Sequence, residues 1–486
     1  MSDSALGERM PISAAPGTCT RVTRPLPVPL AARLRLGGRA AAVLLLSAVA
    51  YGGTYAHLLA DARAGSRTVL VLAVPVLVAL IAAGYRSMPR DAADAGWDWI
   101  VAALAGAGGF SAIALLSQRF PDLAALWRLD LLGAVLWLAC CTTALFGVRY
   151  AVRLWPLWTF AVVTATPLPA RLLTAALGGG DRAAALVATF FAAVAVFLAL
   201  RADGFGRRFV VATATLAVGS AIVLAAADLI GLVATVVITA AILPVAVVPL
   251  DRFRRDVPVQ PNGAAAGLTG RSAIALVILT IGAAVLVTTH PARGDGAPAP
   301  RVAADWAARA GLHAPASAAF ITRFLGPDAT LARFEVPGGD VLPAAAIDVI
   351  STPNGAALDD LDHVVWYPSV RPVRSVPAGG ERSMPPDARI LYGDTGTGPG
   401  WYAVTWRWRA GTDYQRVTVV VSQAVDGDRL PPPPRPITLR DSVIRPSGWL
   451  TRPQPDEDAQ VDPAVTRRAA HIVALVTSPY TVGAVR

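Results

Sequence analysis

Between residues 40 and 290 long apolar runs alternate with short polar breaks, a rhythm that suits a bilayer better than an aqueous core. A helix crossing the hydrocarbon layer needs ~20 mostly apolar residues. Runs of that kind fall at 40–60, 68–85, 99–118, 131–148, 154–172, 183–200, 209–227, 229–250 and 272–289, which predicts nine spanning helices. The stretch from Phe209 to Leu250 holds one acid near its centre, Asp228, and is read as two helices turning at Asp228 and Gly231. The fifth run is cut by Pro167-Leu168-Pro169 and then carries Arg171. A broken helix facing lipid leaves backbone groups without partners. The break is therefore read as a terminator at the outer interface, with Arg171 snorkelling to head groups; a re-entrant turn lining a site is the alternative.

From Pro291 the pattern changes. "THPARGDGAPAPR" (289–301) is rich in Pro and Gly, and the apolar runs after it are shorter. In "WYAVTWRWRAGTDYQRVTVVVSQ" (401–423), Tyr402, Val404, Trp406 and Trp408 alternate with Ala403, Thr405, Arg407 and Arg409. That period of two, on both sides of a five-residue turn containing Gly411 and Asp413, predicts a β-hairpin with Trp406 and Trp408 on its core face. "AAIDVIS" (345–351) and "HVVWYP" (363–368) read as further strands, "DWAARAGL" (305–312) and "VTRRAAHIVALV" (465–476) as helices, and "PPPPRP" (431–436) as a stiff spacer. The organisation follows: a disordered cytoplasmic tail (1–38), a transmembrane helical domain (39–290), a Pro/Gly linker (291–304) and an extracytoplasmic α+β domain (305–486). The fold class is a polytopic α-helical membrane protein with a C-terminal extracytoplasmic α+β domain.

Composition supports the membrane class, with 54% hydrophobic and 16% charged residues. All 43 basic residues are arginine, and with the Ala, Val, Gly and Pro excess this suits a high-GC bacterial genome. The net charge of +10 does not indicate nucleic acid, because the arginines punctuate apolar runs rather than forming one patch. Arg86, Arg90, Arg149, Arg153, Arg201, Arg207, Arg208, Arg252, Arg254, Arg255 and Arg271 fall in one set of alternate loops, together with the arginines of the tail. Arg63, Arg67, Arg119, Arg128, Arg171 and Arg182 fall in the other set. The bias toward the first set predicts a plasma-membrane protein with a cytoplasmic N-terminus and an exported C-terminal domain. The first run is read as an uncleaved signal anchor.

Candidate chemistry is sparse. Cys19, Cys140 and Cys141 are too few for a disulfide framework, and Cys140-Cys141 read as apolar fillers. His57, Arg171, Asp228 and His290 all fall near the outer ends of their spans and are the candidates for an outward-facing polar vestibule. Trp401, Arg407, Arg409, Tyr414 and Arg416 form an aromatic and cationic set that suits glycan stacking or binding at a head-group boundary. "DDLDHVVWYP" (359–368) offers carboxylates and an imidazole but no second His at ligand spacing, so it reads as a solvated turn and no metal is expected. "YGDTGTGPGWY" (392–402) lacks Walker spacing and reads as a loop between strands; no cofactor is expected.

The long apolar segment ending in Pro167-Leu168-Pro169, followed by Leu-rich sequence and another span, resembles part of the exosortase/archaeosortase proteins. "ITRFLGPDATLARFEV" (321–336) and the segment ending "WYP" resemble the extracytoplasmic domain found in some of them. The likeness covers residues 130 to 250 and the C-terminal domain loosely. It implies a polytopic membrane enzyme that processes C-terminal sorting signals with a Cys placed after the Pro-Leu-Pro turn, assisted by Arg and His. Here no Cys follows position 141, so the nucleophile is not carried over. The expected function is that of a diverged exosortase-like scaffold or recognition protein, more non-catalytic than enzymatic. Its expected partners are the lipid bilayer and exported or envelope-anchored proteins or glycans. A membrane-embedded transferase or protease is the alternative, and a transporter ranks third.

Overall fold

The computed structural model describes residues 30–85, 97–253, 270–289 and 299–481, apart from 340–341, 379–383, 386, 397, 426–428 and 450–460. His290 and most of the segments read as tail and linker lie outside these residues; helix α1 begins at Leu30. The helical part comprises α1 (Leu30–Arg63), α2 (Leu70–Ala83), α3 (Asp98–Arg119), α4 (Pro121–Trp127), α5 (Leu129–Phe146), α6 (Val148–Arg153), α7 (Trp155–Ala165) and α8 (Pro167–Ala176). It continues with α9 (Gly180–Ala199), α10 (Phe205–Val236), a π-helical turn (Val237–Ile242), α11 (Leu243–Phe253) and α12 (Gly270–Thr289).

The expectation of nine spanning helices is not supported. Among the described residues four helices are long and apolar enough to cross a membrane: Asp98–Arg119, Leu129–Phe146, Gly180–Ala199 and Phe205–Val248. The shortfall has local causes. Helix α2 has 14 residues and rises about 21 Å, less than a ~30 Å hydrocarbon core. The fifth run divides at Thr166, whose extended backbone (φ −81°, ψ 115°) is what a residue before proline adopts. The Phe205–Val248 element is bent at Gly231 (φ 77°, ψ 167°), a conformation open essentially to glycine alone. A straight helix would set positions 219 and 243 about 36 Å apart. Instead a methyl at Gly219 would sit 3.5 Å from Leu243 Cδ2, so the chain doubles back at Gly231, where the sequence places a turn.

Two packed groups make up the helical part. In one, Tyr51, Phe110, Trp137, Cys140, Cys141 and Leu279 are buried between α1, α3, α5 and α12; the two cysteines are fillers there. In the other, the alanines of α9 form a buried stripe against which α2 and both arms of the bent element lie, as small residues allow between helices. Gly84 and Ala199 touch backbone to backbone, and Arg201 Nη1 donates to Tyr85 Oη at 2.9 Å. Asp98 accepts from the Val148 amide at 3.3 Å. These contacts gather the loops at one end of the bundle; the loops carrying Arg67, Arg128, Arg171 and Arg182 gather at the other.

At that second end sits the C-terminal domain. Its strands are β1 (Arg301–Val302), β2 (Ala316–Ser317), β3 (Thr330–Val336), β4 (Ala345–Thr352), β5 (Arg374–Pro377), β6 (Arg389–Gly393), β7 (Trp401–Ala410) and β8 (Asp413–Ser422). The sheet order is β2-β3-β4-β8-β7-β6-β5, antiparallel throughout, with β1 added parallel to the end of β7. The β7–β8 hairpin forms as the alternation predicts. Its pairing continues to Ala410 opposite Asp413, so the turn is the two residues Gly411-Thr412 rather than five, with positive φ at Gly411. Residues 363–368, expected to be a strand, form an irregular segment instead. Short helices α13 (Trp306–Arg309), α14 (Thr322–Leu325), α15 (Gly355–Asp359) and α16 (Arg445–Trp449) border the sheet, and α17 (Pro463–Thr481) lies across it.

The strand period of two divides the sheet into unlike faces. Ile347, Val349, Tyr402, Val404, Trp406, Trp408, Val417, Val419 and Val421 pack under Val465, Ala469, Ile472, Val473 and Val476 of α17. The opposite face presents Arg333, Asp348, Thr405, Arg407, Arg416 and Thr418, and it is this face that turns toward the helical part.

Candidate functional site at the seam between helices and sheet

The proline break supplies one wall of the seam. Pro167 takes the first position of α8, where its missing N–H costs nothing. Helix α8 then presents Leu168 and Arg171, one turn apart. Leu168 is buried with Leu126 of α4 among Ile321, Leu325, Leu358 and Leu361 of the C-terminal domain. Arg171 pairs with Asp360 at 3.5 Å, its side chain only 13% exposed. The expectation that Arg171 snorkels to head groups is therefore overturned: a buried carboxylate is the better partner for a guanidinium taken out of water.

Asp360 is the hub of this contact. Besides Arg171 it accepts from Ser66 Oγ at 2.7 and 2.9 Å and from the Arg67 amide at 3.0 Å. Directly before α15, Asn354 uses both ends of its amide. Its oxygen caps α15 at the Ala357 N–H (3.1 Å), and its nitrogen donates to the Gly65 carbonyl (2.9 Å). Arg67 reaches past the hub to Asp181 (3.0 Å) and to the Phe324 carbonyl (3.3 Å). A small cavity of about 40 Å³ remains beside Arg171 and Asp360.

The other residues of "DDLDH" diverge to different arginines. Asp359 pairs with Arg407, and Asp362 pairs with Arg389 at 3.0 Å. Burial raises the Asp362 carboxyl, but Arg389, Arg407 and Arg416 outweigh it and hold the group below the usual carboxylate range. The reading of this stretch as a solvated turn is thus corrected. Its three acids are structural ligands for arginines, and among the described residues no three His, Cys, Asp or Glu gather as metal ligands.

His363 ends the run. Its Nδ1 lies 3.1 Å from Asp122 Oδ1 of α4 and 3.2 Å from Arg389 Nη1. One ring nitrogen cannot donate to the carboxylate and accept from the guanidinium at once, so the proton on Nδ1 decides which bond forms. Asp122 Oδ2 is buried and makes no hydrogen bond. Beside this cluster a cleft of about 90 Å³ opens between α4 and the sheet domain, lined in part by Phe120, Asp122, His363, Tyr367, Arg435 and Trp449. Beneath it Tyr367 Oη donates to Asp348 Oδ2 at 2.7 Å, and Arg333 approaches the same oxygen at 3.0 Å. Burial pushes the Asp348 carboxyl up to about 6 despite these partners. Burial also pushes Arg416 down to about 10; it donates to the Leu361 carbonyl and to Thr405.

Among the described residues, His57, Arg171 and Asp228 of the vestibule set do not come together; His290 lies outside them. His57 is exposed on α1, Asp228 pairs with Arg182, and neither lines the cavity at Arg171. The aromatic and cationic set shares one sheet face but is used internally. Trp401 is fully buried and donates to the Pro368 carbonyl at 2.8 Å, Arg409 stacks on Tyr414, and Arg407 and Arg416 serve the acidic run. Sequence reasoning passed over Asp122, Asp360, His363 and Arg389 as a joint site. The available signal was an arginine stranded after a helix break, which calls for a distant carboxylate.

Comparisons with protein-family models, with curated proteins and with solved structures find no match for this chain.

Proposed function

We propose that this chain is a multi-pass protein of the bacterial plasma membrane that holds a recognition domain clamped on the outer face, a diverged exosortase-like scaffold. The observation that carries the reading is the Asp360 hub. A domain on a loose tether has no use for a buried carboxylate held by Ser66, Arg67 and Arg171, whereas a domain that must present a cleft at a fixed height above the bilayer does. The arginine pattern supports the orientation. Arg67, Arg128, Arg171 and Arg182 at the domain end each pair with an aspartate, while the opposite end collects Arg149, Arg153, Arg201, Arg207 and Arg208 and suits the cytoplasmic side. The cleft between α4 and the sheet is the contact site, and an exported or envelope-anchored protein or glycan is its partner.

The test compares the exported and envelope-attached proteins of cells carrying the intact chain, no chain, or an Asp360→Ala form. The scaffold reading expects deletion to change that pattern and the undocked form to reproduce the change while still present in the membrane. An unchanged pattern on deletion overturns it. The Asp122–His363 pair favours one second reading, acid–base chemistry at the cleft. That reading requires His363→Gln to abolish the effect of the chain with docking intact.

A further inference from the structure

Residues 439–449 carry two unlike sides. Ser442, Pro446 and Trp449, at helical spacing, are buried against the protein. The π-helical turn at Arg440–Ile444 leaves Leu439, Val443 and Ile444 exposed, at 54%, 37% and 60%, with Arg440 exposed among them. Three large aliphatic side chains in eleven residues would be an unusual surface in water, and an ordinary one at a lipid boundary.

The place of the segment decides between these. Trp127 Nε1 donates to the Ser442 carbonyl at 2.8 Å, tying the segment to the end of α4. Pro446 lies in a groove with Leu116, Phe120, Leu123 and Leu129, where α3 ends and α5 begins. Both of those helices are long and apolar enough to cross a membrane. On α3, Leu115, the chain neighbour of Leu116 in that groove, is 65% exposed, so the segment lies at the level where the outward apolar surface of α3 ends. The cations suit the same level: Arg440 is exposed, Arg435 and Arg445 flank Asp441, and Arg119 lies over the Phe120 ring at 5.1 Å.

We propose that residues 439–449 are a second membrane contact, an in-plane segment whose Leu439, Val443 and Ile444 sink into the boundary between head groups and acyl chains. The occupant of this face is bilayer lipid. The segment also supplies Asp441, Ser442 and Trp449 to the cleft, so the cleft opens at the lipid surface and its floor is set by membrane depth. The inference does not depend on what the cleft binds or on whether the protein sorts anything.

The test uses the full chain with Cys19, Cys140 and Cys141 replaced and a single nitroxide-labelled cysteine at position 439, 444 or 475, reconstituted into phosphatidylethanolamine–phosphatidylglycerol vesicles. Leu475 is the control, 46% exposed but on α17, across the sheet from the helices. Expected at 439 and 444 is a several-fold rise in collisions with oxygen and a several-fold fall with a water-soluble nickel chelate, relative to 475. Water-like values at both sites overturn the proposal. So does shielding from both reagents, which would mean that protein covers the face. Two labelled sites, both already exposed, guard against one label disturbing the fold.

Discussion

The two faces of the sheet are built from the same strands and do opposite things. Under α17 every alternate residue is apolar, and Trp406, Trp408, Val417 and Val419 are almost wholly buried. One residue along in each strand, Arg333, Asp348, Arg407 and Arg416 line the face toward the helices. The apolar face needs only bulk and shape, and it holds the domain together. The charged face gains little net energy from its ion pairs, because desolvation offsets attraction. What it confers is position: its arginines hold Asp359 and Asp362 on either side of Asp360, whose contacts with Ser66 and Arg171 at 2.7–3.5 Å fix where the domain sits far more sharply than oil-like contact does.

If that division is right, the faces should fail differently. The largest effect belongs to Trp406→Ala, which empties a buried indole site and should lower the unfolding free energy of the domain by about 3–5 kcal/mol. Thermal unfolding in detergent should show the domain melting early while the helical part holds. Next, Asp360→Ala leaves Arg171 buried without its counter-ion, a cost of about 3 kcal/mol charged to docking rather than to domain folding. Hydrogen exchange should speed by about a hundredfold in peptides covering 64–72 and 354–363, with strands β7 and β8 unchanged. Faster exchange across the whole domain would break the comparison.

The smallest effect sharpens it. Asp348 on this face and Asp362 in the turn packed against its arginines have opposite shifts. The folded pKa of Asp348 is raised to about 6, so the stability it contributes is complete below its unfolded value near 4 and is lost as pH rises through 6. Asp362, held low by its arginines, contributes stability above about pH 4 that disappears only as pH falls through its lowered folded value. Of these two carboxyls Asp348 is the one that titrates between pH 4 and 6, and its contribution to the domain should fall by on the order of 2 kcal/mol or less across that window. An infrared carboxylic-acid band that fades near pH 6 and is missing in Asp348→Asn is the check; no such band in the parent chain would remove Asp348 from this role.

How far the sequence carried depends on whether the cause was local. The β7–β8 hairpin could be read because strand period and a Gly-containing turn are properties of consecutive residues. The reversal at Gly231 could be read because the single acid of the run, Asp228, stands three residues before a glycine. The span count could not, since apolar composition says nothing of where Thr166 stops a helix or how far α2 falls short. The seam was hidden for a different reason. Asp360 and Arg171 are 189 positions apart, and each looks ordinary beside its neighbours: an acid in a turn, a cation at an interface. Only the pairing makes either meaningful, and pairing across such a distance leaves no periodic trace. Trp401, Arg407 and Arg416 looked like a ligand surface because alternation assigns a face but cannot say what covers it.

The order of the hub residues along the chain has a consequence for biogenesis. Gly65, Ser66, Arg67, Asp122, Trp127 and Arg171 all precede position 182, while Asn354, Asp360, His363, Arg389 and Ser442 all follow position 353. A ribosome therefore finishes the receptacle long before the plug exists. Until the plug arrives Arg171 has no Asp360, so a half-made molecule would carry a marked unfilled socket, and completion would be a single docking event onto a finished template.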